Sequence, residues 1–161
     1  MVKVPKKPVP LKLRSGGKTD VRAQIAALCF RYRGGKLEFC IVTTRSTGRW
    51  IIPRGWPTHK HTPYDGAAIE AYEEAGVRGR AYPDSVGAYS YDNPMGDDLT
   101  PVMVVVYAIH VTDTAKKWPE KGQRKRKWLS RKKAVAKLTE PGLRQIVANF
   151  DPAALDVARG A

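Results

Sequence analysis

Short apolar runs punctuated by glycine and proline dominate the first half of the chain. The run from Arg22 to Arg33 reads as a strand, Gly34-Gly35 supplies a two-residue turn, and Leu37 to Thr44 reads as the hairpin partner. Trp50-Ile51-Ile52 is a short apolar piece stopped by Pro53, and Arg54-Gly55-Trp56-Pro57 after it is expected as loop. The strongest helix signal starts at Thr62, a good N-cap, followed by Pro63 at the first helical position and Asp65 in the first turn. It predicts a helix to about Ala75, with Gly76 supplying the left-handed residue that ends it.

Further strands are predicted at Arg80 to Tyr91 and at Pro101 to Val111, where Val102, Val104, Val105, Val106, Tyr107 and Ile109 supply the β-branched and aromatic bulk of a central strand. Lys127-Trp128-Leu129 is a last short strand, Ser130 caps a helix from Arg131 to Leu138, and Pro141 opens another toward Phe150. Hairpins and helices mix without regular βαβ alternation and without an internal repeat. That predicts an α+β or mixed-sheet α/β sandwich.

With 161 residues, 42% of them hydrophobic, the chain can fill one ordinary core. Residues 1–20 read as a basic arm, with prolines at 5, 8 and 10 and six Lys and Arg, residues 21–150 as the domain, and residues 151–161 as a tail. No stretch approaches the roughly 18 apolar residues of a membrane-spanning helix, and the arm lacks the apolar core of a secretory signal, so the cytoplasm is the expected location. Cys29 and Cys40 sit in apolar runs without metal-site spacing and are expected as reduced core residues.

Charge changes the picture. Twenty-nine Lys and Arg against fifteen Asp and Glu leave +14, which attracts polyanions without saying which kind. Against that background Glu70, Glu73 and Glu74 stand out, because i, i+3 and i+4 place three carboxylates on one helix face. Each like-charged pair costs roughly 0.2–0.5 kcal/mol in an isolated helix. A hard divalent cation, Mg2+ or Mn2+, would reverse that sign and leave coordination positions open for substrate phosphates. A solvated acidic face paired with the abundant Lys and Arg is the other reading of the same spacing. Ala67, Ala71 and Ala75 form the opposite stripe, suited to close packing on a sheet while the glutamates face outward.

Gly55 followed by Glu70-Ala71-Tyr72-Glu73-Glu74-Ala75-Gly76-Val77 resembles the Nudix box, G-x5-E-x7-R-E-U-x-E-E-x-G-U, with Gly55, Glu70, Glu73, Glu74, Gly76 and Val77 at the required spacing. Two positions depart from it: His61 stands for the first glutamate and Ile69 for the arginine, a pair that braces loop against helix in the family. His61 and His59 are expected at the surface, and His110, in its apolar strand, as a core or edge histidine. The order of features further resembles the diphosphoinositol polyphosphate phosphohydrolase branch: Arg49-Trp50-Ile51-Ile52-Pro53, the box, then Arg124-Lys125-Arg126-Lys127-Trp128-Leu129.

The resemblance implies a Nudix-like α/β/α sandwich with a mixed β-sheet between helices. It also implies metal-dependent attack of water on a phosphoanhydride in a polyphosphorylated small molecule, a diphosphoinositol polyphosphate or a dinucleoside polyphosphate. On that reading Glu70 and Glu74 are the main metal ligands, Glu73 a further ligand or base, and the Gly55 carbonyl a neutral ligand. Glu120, the lone acid among eleven basic residues between Lys116 and Lys137, is the candidate distal carboxylate or a surface acid countering its neighbours. Arg22, Arg45, Arg49, Arg54, Arg124 and Arg126 are the candidate phosphate clamps. Strand alternation would put Arg124, Arg126 and Trp128 on one side, facing a site, and Lys125, Lys127 and Leu129 on the other. Tyr89, Tyr91 and Trp56 are available to stack on a base. A non-catalytic RNA- or nucleotide-binding module on the same scaffold is the competing function, motivated by the charge and by His61 and Ile69. The oligomeric state is left open.

Overall fold

The computed structural model describes residues 10–12, 20–92 and 101–158 of the chain. Its elements in order are β1 (Pro10–Lys12), β2 (Asp20–Arg33), β3 (Lys36–Thr43), β4 (Trp50–Ile51), β5 (Arg54–Gly55), α1 (Pro63–Ala75), β6 (Val77–Ala81), β7 (Gly87–Tyr91), β8 (Val102–Thr114), β9 (Arg126–Ser130), α2 (Arg131–Lys137), α3 (Pro141–Asn149) and α4 (Pro152–Ala158). The spine of the sheet runs β4-β3-β2-β8-β6, with β5 added to β2, β7 to β8 and β9 to β3. β2 lies parallel to β8 from Ala23↔Met103 to Phe30↔His110 and antiparallel to β3, so the sheet is mixed. The two central strands carry the longest apolar runs because both their faces are covered.

One face is covered by α1, whose Ala67, Ala71 and Ala75 are fully buried with Ala27, Cys29, Cys40 and Val42. Small side chains let this helix lie close to the sheet, as its alanine stripe predicts. The other face packs Leu28, Phe30, Phe39 and Ile41 against Ala134, Leu143, Val147 and Phe150 from α2, α3 and the turn after α3. The result is the expected α/β/α sandwich. Cys29 and Cys40 are cross-strand partners, buried and free, and His110 stacks on Phe30 at 4.8 Å.

Some boundaries differ from expectation. Arg54-Gly55, expected as loop, pairs with β2 through Ile25↔Gly55 and Ala26↔Arg54. The single strand expected over 80–91 is two strands. The Tyr82 amide donates to the Ala108 carbonyl and the Val86 amide to the Val106 carbonyl, so four residue steps span two on β8 and the Pro83-Asp84-Ser85 segment is thrown out as a turn. The expected tail contains α4, and in the expected arm β1 pairs with Asp20–Arg22 while residues 1–9 and 13–19 lie outside the described residues. Among the described residues no helix is long and apolar enough to cross a membrane.

Candidate functional site

Helix α1 is set at both ends by its own sequence. The Thr62 hydroxyl accepts from the Asp65 amide at 3.3 Å, and Pro63 opens the helix. Gly76 ends it in the left-handed region at φ 68°, donating to the Tyr72 carbonyl. A Cβ at Gly76 would also collide with the Trp118 ring, so this glycine serves both the cap and the packing of the 115–120 segment.

The glutamates of this helix do not face outward. Glu70, Glu73 and Glu74 are 6%, 6% and 3% exposed, because two remote segments close over them. β5 brings Gly55 so near the Glu70 carboxylate that any Cβ there would overlap it. On the other flank the Glu120 amide donates to the Glu73 carbonyl at 3.0 Å, which ties the 118–123 turn to the helix. Burial therefore raises all three carboxyls. Glu70 is pushed up to about 7 by desolvation, against its hydrogen bond with Glu74, and Glu74 is pushed well above its usual range, chiefly by desolvation and against Arg124. Glu73 is raised by burial and then by the nearby Glu120. Burial thus favours the protonated forms of this buried pair.

Glu70 and Glu74 open onto a cavity of about 640 Å³ whose lining also includes Gly55, Arg45, Arg49, Arg54, Glu120 and Arg124. Arg124 is the hub: it donates to Glu120 at 2.9 Å, to the Thr43 carbonyl at 3.0 Å, and stands 3.7 Å from Glu74. Arg45 approaches Glu120 at 3.9 Å. At the far end Arg54 pairs with Glu140 at 2.7 Å, accompanied by Arg49 at 3.6 Å, and Arg54 stacks on the Tyr91 ring at 3.8 Å. Four guanidiniums therefore meet three carboxylates in and behind one cleft.

Two expected site residues fall elsewhere. Glu73, at i+3, is turned to the neighbouring pocket lined by His61, Ile69, Tyr72, Arg78 and Pro119. Arg126 is not in the cleft: it donates to the Ala75 carbonyl at 2.7 Å and lies 4.4 Å from the centre of the Trp118 ring. The expected row of Arg124, Arg126 and Trp128 therefore does not face the cleft as a row, because the α1 side of β9 is packed under the helix; Trp128 carries Arg31 on its ring at 3.8 Å, and Arg124 alone reaches the cavity. The Arg22 side chain lies outside the described residues. His59 is exposed as expected, whereas His61 is half-buried with its Nε2 enclosed and without a hydrogen bond. Trp56 and Tyr91 line the cleft, while Tyr89 sits behind it, accepting from Arg54 at 3.2 Å.

The sequence reading missed Glu140 and Gln24. Glu140 is buried as the N-cap residue of α3, beside the Pro141 that marks the helix; an acid at a helix N-terminus looks like routine dipole matching, and nothing local points to Arg54. Gln24 lines the cleft and accepts from the Tyr91 hydroxyl at 3.0 Å, a polar residue within an otherwise apolar strand run.

The donor set suits a hard divalent cation. Glu74 Oε1 is buried with no hydrogen-bond partner, and a carboxylate oxygen so placed beside a second buried carboxyl is what such an ion would satisfy. Among the described residues no three His, Cys, Asp or Glu side chains converge as a formed metal centre, since Glu120 is drawn to Arg124 and Glu73 faces the other pocket.

Fold and cleft together define an α/β/α protein with a loop–helix–loop acidic site opposite a guanidinium wall. A family model of the NUDIX domain matches residues 22–150, and the chain belongs to the Nudix family. It is 30% identical over 115 residues to Nudix hydrolase 16, mitochondrial, of Arabidopsis thaliana, covering 69% of this chain and 63% of that protein. The chain thus spans under two thirds of that relative's length. It is 28% identical over 130 residues to diphosphoinositol polyphosphate phosphohydrolase 2 of Rattus norvegicus, covering 78% and 68% of the two chains. In fold it is similar to a C. elegans Ap4A hydrolase solved as a binary complex, with TM-score 0.64 at 16% identity over 84% of this chain and 98% of that one. The expected cytoplasmic location is not carried over, because two of the relatives are named as mitochondrial.

Proposed function

We propose that this chain hydrolyses a phosphoanhydride bond in a polyphosphorylated small molecule, with Mg2+ or Mn2+ held by Glu70 and Glu74. The observation that carries the reading is the buried Glu70–Glu74 pair, with Glu74 Oε1 lacking a hydrogen bond and met only by Arg124 at 3.7 Å, opening onto the same cavity as Arg45, Arg49, Arg54 and Arg124. A non-catalytic scaffold has no use for two buried carboxyls that burial itself destabilises.

When bound, the cation supplies Lewis-acid polarisation of a phosphoryl oxygen and a more acidic water. Glu70 and Glu74 would hold it through their carboxylates, the ion offsetting the cost of burying them ionised. Glu120, on the cavity wall beside Arg124, takes the proton of the attacking water. Water oxygen joins phosphorus, the bridging P–O bond breaks, and the departing phosphate takes the electron pair. Arg45 and Arg49 orient the phosphates, because Arg54 is already engaged by Glu140 and Tyr91. The Gly55 carbonyl would add a neutral ligand, and the missing Cβ admits β5 against Glu70.

For the substrate, a diphosphoinositol polyphosphate or a dinucleoside polyphosphate fits the cleft's cations and the names of the relatives. Trp56 and Tyr91 on the wall, available to stack on a base, favour the dinucleoside compound. The test is phosphate release, with product identity, from inositol pyrophosphates, diadenosine polyphosphates, nucleoside triphosphates and ADP-ribose, each with Mg2+, Mn2+ or chelator. Release that needs the cation and vanishes in Glu74→Gln with an unchanged melting temperature supports the reading. Turnover undiminished in that variant, or equal in chelator, overturns it.

A further inference from the structure

The alternation of β9 leaves a second row of side chains, and this row is open. Lys127 and Leu129 point to the α2 face, where with Trp50, Lys133, Ala136 and Lys137 they line a groove of about 560 Å³. Trp50 and Arg49 are adjacent in sequence yet serve different surfaces, Arg49 the cleft and Trp50 the groove. The half-buried Trp50 indole rests on the core at one side and carries the Lys127 and Lys137 ammonium groups at 5.7 and 5.5 Å from its ring centre. No acid lines the groove, and among the described residues none of its three lysines has an ion pair.

We propose that this groove is a binding site for single-stranded nucleic acid, separate from the hydrolytic cleft. Unpaired bases present a π-face next to phosphates, and an indole set among unmatched ammonium groups offers the complement to both. Leu129 and Ala136 give the stacked base an apolar floor, while Lys127, Lys133 and Lys137 meet the flanking phosphates. Bare polyphosphate could use the lysines but not the indole, and a duplex hides its base faces.

The test is fluorescence anisotropy of a labelled twelve-nucleotide uridine strand with the full chain, at several salt concentrations. The expected affinity falls with salt with a log–log slope of about −2, the value for three phosphates released from a single strand. Lys133→Glu/Lys137→Glu, on the exposed side of α2, is expected to weaken binding at least tenfold and flatten that slope. Trp50→Leu, which keeps an apolar plug over the core, is expected to cost roughly tenfold for one lost base stack. Glu74→Gln is expected to bind the strand like the parent chain. Unchanged affinity in the lysine variant would place any binding elsewhere on the cationic surface and overturn the proposal. So would an unchanged affinity in Trp50→Leu, or competition by polyphosphate of equal charge as strong as by the strand, since either reduces the site to charge alone.

Discussion

The cleft and the α2 face are both rich in basic residues, yet they handle charge in opposite ways. In the cleft, Arg54 faces Glu140, Arg124 faces Glu120 and Glu74, and Arg45 leans on Glu120. On the α2 face Lys127, Lys133 and Lys137 have no acid among the groove's lining residues. The four cleft guanidiniums are met by Glu74, Glu120 and Glu140, so little of the excess of +14 resides there. A net charge thus says little about an active site when the site holds its own counter-ions. Residue type follows the same division: planar, many-donor guanidiniums where geometry is fixed by hydrogen bonds, ammonium groups where the surface is open.

Four experiments press on this contrast. The largest effect is expected from Glu70→Gln, which removes one of the two converging carboxylates and should lower cation-dependent phosphate release more than about a hundredfold, beyond what loss of a supporting hydrogen bond costs. Next is Glu140→Ala. It strands the Arg54 guanidinium, 9% exposed, without its partner, and denaturant unfolding should show a loss of about 3 kcal/mol or more. A cleft that tolerated this change would not be charge-matched in any energetic sense.

Third comes pH. Because Glu70 and Glu74 are raised in the folded chain, the fold favours their protonated forms. Stability is complete below the unfolded glutamate value near 4.5 and is lost as pH climbs through about 7 for Glu70. The chelated protein should therefore melt lower at pH 8 than at pH 5.5, and millimolar Mg2+ or Mn2+ should flatten that fall by replacing the proton. A melting temperature that rises over this interval in chelator would contradict the upward shift of these carboxyls. The smallest effect is expected from Lys133→Glu/Lys137→Glu on hydrolysis of a small substrate, within about twofold at physiological salt because screening extends only about 8 Å. A larger change would mean that the two cationic surfaces act as one.

Much of α1 was legible because its determinants are local: Thr62, Pro63 and Gly76 lie within a residue or two of the helix ends, and the alanine stripe follows the helix period. The carboxylates were legible as a group for the same reason. Their burial was not, since it depends on Gly55 and on Glu120, which lie 15 and 46 to 50 residues from the glutamates they cover. Glu140 was hidden more completely, its partner Arg54 being 86 residues away. Alternation correctly divides the basic residues around β9 into two rows, but which row is open depends on α1 covering one side and α2 leaving a groove on the other. Periodicity says which side chains travel together; packing decides what they meet.

Cys29 and Cys40 face each other at the centre of the sheet, and burial pushes the Cys40 thiol up to about 12 and the Cys29 thiol well above its usual value. A thiol in that state does not react while the sheet is closed. These two residues are therefore a built-in clock: the rate at which an alkylating reagent reaches them counts the openings of the β2–β3 hairpin from its sister strands. Binding of a cation at the α1 glutamates or of a strand at Trp50 would be read at the middle of the molecule as a slowing of that clock, without any label on either site.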